Sequence, residues 1–225
     1  MEDYIDIILI LLVVLLPVIA QLKVKSAYNK YSKVENSGNL TGKDVARMIL
    51  DKNGLENVTI SQISGDLTDH YSPKEKHINL STKIYNDTSI ASLAVAAHEC
   101  GHAIQDKENY GFLRFRSAMV PVVNITSRIA SIFILIGFIS QIFDLLTIGI
   151  LLLMVGLVFQ FVTLPVEFDA SNRAKLQLQS CGLITDTDIK GTKKVLSAAA
   201  LTYVAGFLAT ALQILRLVLI SRNRR

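Results

Sequence analysis

The chain has 225 residues, of which 51% are hydrophobic, and its formal net charge is +4. The charges are unevenly distributed, because the segment from Lys23 to Arg116 is rich in them and several other stretches have almost none. This division excludes a fully water-soluble protein and predicts an integral membrane protein with one sizeable water-facing part. The modest positive charge suits loops beside an anionic bilayer. Since there is no aromatic-rich basic patch, nucleic acid is excluded as a partner.

The first predicted element is a membrane span. Ile7–Leu22 contains 16 residues without a charge, roughly 24 Å of helix, which can cross a bilayer core when the flanking residues snorkel. A cleaved signal peptide is the alternative, but it would need a basic amino-terminal region, whereas Glu2, Asp3 and Asp6 are acidic. Lysines follow the span, and lysine-rich flanks stay in the cytoplasm. We therefore predict an anchor over residues 1–22, with its N-terminus outside and the next segment inside.

Residues 23–120 are predicted to form a small α+β portion on the cytoplasmic side. Its first helix begins after Thr41, which can cap it, and ends at the turn-forming pair Asn53 and Gly54. Three short strands follow, in VTISQI, DHYSPKEK and HINLS. One long helix then covers NDTSIASLAVAAHECGHAIQDKENYG, with Asp87 or Thr88 as its cap.

The remaining chain is predicted to contain three more spans. From Ile129 to Val166 there are 38 residues with one charge, Asp144. A single helix of that length would be roughly 57 Å long, so we predict a transmembrane hairpin over residues 121–164 that turns near Asp144. Residues 165–197 return to the cytoplasmic side, and residues 198–225 form the last span and a basic tail. The fold class is thus a mainly α integral membrane protein with about four transmembrane helices.

The stretch AAHECGHAIQ carries the clearest chemistry. His98 and His102 are four residues apart and share one helix face, where both imidazoles can bind a single ion. Glu99 lies about 100° further round the helix, on the side where water would bind. This is the HExxH pattern of zinc hydrolases, in which Zn²⁺ acidifies a water molecule and the glutamate takes its proton.

Two histidines on a polar helix face are the alternative interpretation of this motif. The preceding run, IASLAVAA, is apolar, and unpaired histidine and glutamate side chains would be costly there. Gly101 allows another backbone or a substrate to come close. Both features favour the zinc site.

A catalytic zinc ion needs a third protein ligand, and the residues offer three candidates. Glu108 stands six residues after the second histidine, as in one zinc-peptidase pattern, but Gln105 replaces the glycine that this pattern requires. Glu167 is the first acidic residue after the hairpin and follows Pro165, where a new helix can begin. Asp169 is the main alternative ligand. The carboxylate that does not bind the metal is expected to hydrogen-bond to one of the ligands and orient it. We predict Glu167, with the other two left open.

Other polar residues have weaker claims. His70, in GDLTDHYSP, could stabilise an oxyanion or touch substrate, although a loop histidine often does neither. His77 is predicted to be structural. Tyr203 and Arg173 could line the site, but a tyrosine at the end of a span and an arginine in a loop need no such role.

Most of the chain also resembles a known family. The segments that carry the resemblance are KVKSAYNKYSKV, LTGKDVARMIL, SGDLTDHYSP, SIASLAVAAHECGHAIQ, RSAMVPVVNI, LPVEFDASNRA and KKVLSAAALTYVA. They make the chain similar to the bacterial neutral zinc metallopeptidases of the YugP type, which are small membrane proteins. The resemblance implies peptidase activity, zinc on His98 and His102, and catalysis by Glu99. The family's acidic segment is carried here by Glu167 and Asp169.

A more distant similarity is to HtpX-type and CAAX-processing membrane peptidases. In those families an aspartate follows the ligand glutamate by four residues. Here that position is Ser171, and the aspartate comes two residues after Glu167. The similarity therefore leaves open how the two carboxylates divide their roles.

Together these observations predict a multi-pass zinc metallopeptidase of the bacterial plasma membrane. Its active site is expected on the cytoplasmic side, in a zincin-like α+β portion that carries the HExxH helix. Its expected partners are the lipid bilayer and a peptide or membrane-protein substrate. Two other classes fit the same motif: a zinc hydrolase that acts on lipid or another amide at the interface, and a catalytically silent zinc-binding scaffold. The intact Glu99 argues against a scaffold, which needs no base.

Overall fold

The computed structural model describes residues 2–223, so Met1 and the end of the predicted basic tail, Arg224 and Arg225, lie outside the described residues. The described chain is mostly helical and divides into two compact units. Its elements are α1 (Glu2–Tyr31), α2 (Gly42–Lys52), β1 (Thr59–Ile63), β2 (His70–Ser72), β3 (His77–Ser81), α3 (Thr82–Asn86), α4 (Ile90–Lys107), α5 (Gly111–Ser140), α6 (Phe143–Ser180) and α7 (Asp186–Asn223).

The first unit consists of residues 2–21, Arg114–Pro165 and residues 202–223. It holds the apolar parts of α1, α5, α6 and α7, and these four helices are long and apolar enough to cross a membrane. Many of their leucine, isoleucine and valine side chains are exposed, as expected of surfaces that face lipid. The predicted number of four candidate spans is confirmed.

The helical hairpin of this unit turns where the sequence predicts. α5 ends at Ser140, Gln141 takes a left-handed conformation with φ 57°, and Asp144 lies in the first turn of α6. Close contact between the arms depends on Gly137, because a Cβ there would lie 2.8 Å from the backbone nitrogen of Leu146. Small residues commonly allow such contacts between helices in lipid.

An ion pair joins α1 to α7 within the first unit. Arg216 Nε lies 2.7 Å from Asp6 Oδ1, and a second guanidinium nitrogen lies 3.3 Å from Asp6 Oδ2. Asp6 is near the start of α1, whereas Arg216 is near the end of α7. The two helices therefore run antiparallel, as an even number of spans requires.

The second unit consists of Leu22–Leu113 and Val166–Leu201. α2 begins as predicted, because the Thr41 hydroxyl accepts the backbone N–H of Asp44 and the Asp44 carboxylate accepts that of Thr41. It ends at Asn53, and Gly54 follows with φ +61°, a conformation that is easy for glycine. The buried face of α2 packs against α4.

All three predicted strands form, and they make one sheet with the order β1-β3-β2. β1 is parallel to β3, with Thr59 opposite His77. β2 is antiparallel to β3, with Tyr71 opposite Ile78, and forms one edge of the sheet next to α4.

α4 is the central helix of this unit, and fourteen of its eighteen residues are buried. Its cap is Ser89, whose hydroxyl accepts the backbone N–H of Ser92 at 3.1 Å. The predicted caps, Asp87 and Thr88, were wrong by one or two residues. The reason is that the short helix α3 intervenes and uses Asp87 as its own carboxyl-terminal cap, so α4 can begin only after it.

The prediction that a new helix begins at Pro165 was also wrong. α6 continues through this proline as one helix of 38 residues. Proline is tolerated in long apolar helices because neighbouring groups and small local adjustments satisfy the carbonyl that it leaves without a donor. Glu167 and Asp169 therefore lie on the second arm of the hairpin itself, past its proline.

Candidate metal centre

His98 and His102 project from one face of α4, as their spacing predicts. Their ring centroids lie 4.8 Å apart with an interplanar angle of 81°. Their side chains are only 14% and 11% exposed. The ring nitrogens of buried imidazoles need a hydrogen-bond partner or a metal ion. The groups that face these nitrogens therefore indicate the chemistry of the site.

Glu167 of α6 faces both imidazoles. Its Oε2 lies 3.3 Å from His98 Nε2 and 3.7 Å from His102 Nε2, and the residue is 2% exposed. One ligand atom from each of the three residues lies within 4.8 Å of the others, and no second such group of His, Cys, Asp or Glu occurs among the described residues. Two imidazole nitrogens and a carboxylate oxygen are the donor set of one class of catalytic zinc site, so these residues fit a zinc ion.

Close packing between α4 and α6 makes this convergence possible. Gly101 lies between the two histidines, and a Cβ there would lie 2.5 Å from the carbonyl oxygen of Ala170 on α6. Real Cβ atoms essentially never approach that closely. The expectation that Gly101 admits another backbone is confirmed, and that backbone belongs to the turn of α6 that follows Glu167.

Glu99 is a buried carboxyl group beside the same cluster. Burial raises the pKa of Glu99 to about 7, and the negative charge of Glu167 adds to this effect while His98 opposes it. The backbone N–H of Tyr71, on strand β2, has a smaller effect that lowers this pKa. Glu99 therefore lies between the edge strand and the two histidines, and it is not one of the three grouped ligand candidates.

The second ring nitrogen of each histidine also has a polar neighbour. His102 Nδ1 lies 3.0 Å from Gln105 Oε1, and His98 Nδ1 lies 3.3 Å from Ser171 Oγ. Sequence reasoning missed both contacts. A usable signal for Gln105 was its position three residues after His102 in an apolar stretch, where a polar side chain needs a partner. Ser171 offered only its place one turn beyond Glu167.

The other two carboxylate candidates lie apart from the grouped ligand atoms. Asp169 Oδ2 accepts hydrogen bonds from Gln105 Nε2 at 2.8 Å and Arg173 Nε at 2.5 Å. Glu108 is exposed and pairs with Arg173 Nη1 at 2.6 Å. Both acidic groups thus have a cation as partner, and the ring of Tyr110 lies 5.9 Å from the same guanidinium.

The remaining histidines are not brought into the cluster. His70 Nδ1 lies 2.8 Å from the Thr68 carbonyl oxygen, and its Nε2 lies 3.2 Å from the Asn79 amide. His77 contacts the Thr59 hydroxyl across the β1–β3 pair. The contacts of His70 are those of a histidine within a sheet, so the structure gives it no visible link to the site.

Comparison with known proteins gives a consistent result. The family model described as "Putative neutral zinc metallopeptidase" matches residues 6–222. The chain is also 47% identical over 206 residues to the "Putative membrane protease YugP" of Bacillus subtilis (strain 168), and this match covers 92% of each protein. No solved structure shows a significant match to the chain.

Proposed function

Because this chain belongs to the neutral zinc metallopeptidase family, we propose that it hydrolyses peptide bonds at a zinc ion held by His98, His102 and Glu167. The observation that carries the proposal is the convergence of two imidazole Nε2 atoms and one carboxylate oxygen in a buried position. A cation shared by the two imidazole nitrogens and the carboxylate oxygen would favour the burial of all three groups together. This ligand set is that of the gluzincin type.

Glu99 is the proposed general base and later the general acid. It is a buried carboxyl group next to the ligand cluster. From that position it can take a proton from the attacking water and return it to the leaving amine. Zinc, when bound by the three ligands, polarises the substrate carbonyl and makes water more acidic.

The sheet supports a zincin-like interpretation of the second unit. β2 is an edge strand, antiparallel to its neighbour, and it packs beside α4, the helix that carries Glu99. An edge strand presents unpaired backbone groups that an extended peptide can join. A peptide placed there would lie beside Glu99, which favours peptide over lipid as the substrate class.

We further propose that the site faces the cytoplasm of a bacterial cell and acts beside the membrane. Lysines follow the apolar part of α1, and such flanks remain inside. The proposed division is an anchor over 1–22, a catalytic segment over 23–120, a transmembrane hairpin over 121–164, a ligand-bearing segment over 165–197, and a last span over 198–225. Since Glu167 follows the hairpin by only a few residues, membrane proteins or membrane-associated peptides are the expected substrates.

The test is a cleavage assay with matched variants. The purified full-length protein in lipid nanodiscs is incubated with a peptide library, and new amino termini are identified by mass spectrometry. The wild type should generate them, Glu99→Gln should not, and Glu56→Gln, which changes an exposed glutamate, should behave like the wild type.

Two results would overturn the proposal. Equal cleavage by the Glu99→Gln variant would show that the base lies elsewhere or that the activity is a contaminant. Release of fatty acid from nanodisc lipid without any new peptide termini would assign the site to the lipid- or amide-hydrolase class instead.

A further inference from the structure

We propose that Gln105 and Asp169 form a positioning pair that fixes His102 in the tautomer that can bind a metal ion. That the pair serves a zinc site rests on the proposed function, whereas the contacts themselves do not. Neither residue is among the three grouped ligand candidates. Gln105 carries a polar amide, yet it is fully buried, with 0% of its surface exposed. A side chain amide at such depth is stable only when its donors and acceptor are satisfied.

All the polar atoms of Gln105 have partners. Its Nε2 donates to the Val166 carbonyl oxygen at 2.8 Å and to Asp169 Oδ2 at 2.8 Å. Its Oε1 lies 3.0 Å from His102 Nδ1. Both partners of the nitrogen lie on α6, so the amide connects that helix to the second histidine of the motif.

These contacts determine which way the amide points. A carbonyl oxygen and a carboxylate can only accept hydrogen bonds, so the NH₂ group must face them and the amide oxygen must face the histidine. Turning the amide over would place its oxygen against two acceptors and leave at most one of its donors, the one that faces His102, with a partner. The negative charge of Asp169 strengthens this preference, because hydrogen bonds to charged acceptors are stronger than those between neutral groups.

The orientation of the amide in turn determines the tautomer of His102. Because Gln105 Oε1 can only accept, His102 Nδ1 must carry the hydrogen. In a neutral imidazole the other nitrogen then has a free lone pair, and here that nitrogen is the Nε2 atom that faces Glu167. The pair thus prepares His102 as a ligand before any metal arrives.

Asp169 is itself held in place from the other side. Arg173, four residues later on α6, donates to the same carboxylate oxygen from Nε and to Glu108 from Nη1. This arrangement holds the Asp169 carboxylate beside Gln105. It gives the second carboxylate of the segment VEFDAS a role that differs from metal binding.

In the described part of the chain, no amide or carboxylate acceptor faces Nδ1 of His98. Its Nδ1 neighbour is the Ser171 hydroxyl at 3.3 Å, and a hydroxyl can either donate or accept. Ser171 therefore supports the ring without specifying its tautomer. The Asp169 carboxylate thus orients His102, through Gln105, and not His98. Ser171→Ala should therefore weaken zinc binding less than the loss of Gln105 does.

The experiment measures the tautomer and the zinc affinity separately. Full-length protein labelled with ¹⁵N-histidine is examined metal-free in nanodiscs at pH 8, where NMR distinguishes protonated from unprotonated ring nitrogens. Nδ1 of wild-type His102 should carry a hydrogen. Gln105→Met, similar in size but without hydrogen-bonding groups, should show both tautomers and bind zinc about 10- to 100-fold more weakly in chelator competition.

Matched variants control for a general loss of packing. Gln177→Met removes another amide of the same unit, which pairs with Asn53 at 2.9 Å, and should change neither the tautomer nor the zinc affinity. If Gln105→Met does not fold, Asp169→Asn offers the same test at a side chain that is 31% exposed. An asparagine removes the negative charge and weakens the hydrogen bond from Gln105, while the Val166 carbonyl still accepts from the amide. A minor second His102 tautomer should therefore appear beside the Nδ1–H form.

The outcomes are distinct. An Nε2–H tautomer in the wild type, or an unchanged Nδ1–H form in folded Gln105→Met or Asp169→Asn, would overturn the inference. A wild type that shows the Nδ1–H form, gains a second tautomer in the variants and yet binds no zinc would support the positioning pair and refute the proposed function.

Discussion

Replacing Gly101 with alanine should separate the two helices that build the site. The new Cβ would lie 2.5 Å from the Ala170 carbonyl oxygen, and 3.1 Å from both its carbonyl carbon and its Cα. All three atoms belong to the backbone, so no flexible side chain can move out of the way. Restoring an ordinary contact of at least 3.4 Å requires α4 and α6 to move apart by roughly 1 Å.

The expected cost has two parts. Overpacking of this kind typically destabilises a protein by about 1–3 kcal/mol, which for a chain of this size lowers the melting temperature by roughly 2–12 °C. The second part is functional, because Gly101 lies between the two histidines and Ala170 lies one turn beyond Glu167. A shift of about 1 Å between reacting groups can cost about 100-fold in rate, so zinc binding and cleavage should fall further than stability does.

The assay compares thermal unfolding, zinc affinity and cleavage for Gly101→Ala and Gly156→Ala. Among the described residues, no heavy atom lies within 4 Å of a Cβ built at Gly156, so this helix substitution should be neutral or slightly stabilising. An unchanged melting temperature together with wild-type zinc affinity in Gly101→Ala would show that the helices are not in contact here, and the reasoning would fail.

Three further predictions concern the ligand, the membrane part and the orientation. Glu167→Ala should release zinc to a mild chelator while Glu108→Ala retains it; the opposite pattern, measured by metal analysis, would assign the site to the other zinc-peptidase arrangement. Asp6→Leu should lower the melting temperature by leaving Arg216 without its partner, and adding Arg216→Leu should recover most of the loss; equal melting temperatures for the single and double variants would contradict the ion pair. A cysteine introduced at Asn57 should react with an impermeant thiol reagent only after cells are permeabilised, and labelling of intact cells would reverse the proposed orientation.

Local signals in the sequence predict much of the fold because they act over a few residues. Thr41 forms the cap expected of it, and Asn53 ends α2 where turn chemistry indicates. The charge-free stretches correspond to the four candidate spans. One local prediction failed because of a competing local element: α3 uses Asp87 as its cap, so the cap of α4 is Ser89. The other failed because α6 continues through Pro165 without a break.

The candidate site was predicted less completely because it depends on contacts between distant parts of the chain. The helical spacing of His98 and His102 follows from the sequence alone. That Glu167 faces them depends on the packing of α4 against α6, which Gly101 permits but does not by itself dictate. Gln105 is the clearest omission, because its role becomes visible only when Val166 and Asp169 are brought beside it, 61 and 64 residues further along the chain.

The most direct test of the account is the zinc content of the purified full-length protein and two variants. The wild type should hold about one zinc per chain, Glu99→Gln should hold the same amount without cleaving peptides, and His98→Ala should lose the metal. Equal zinc in the wild type and His98→Ala, or none in either, would contradict the assignment of His98, His102 and Glu167 as a zinc centre.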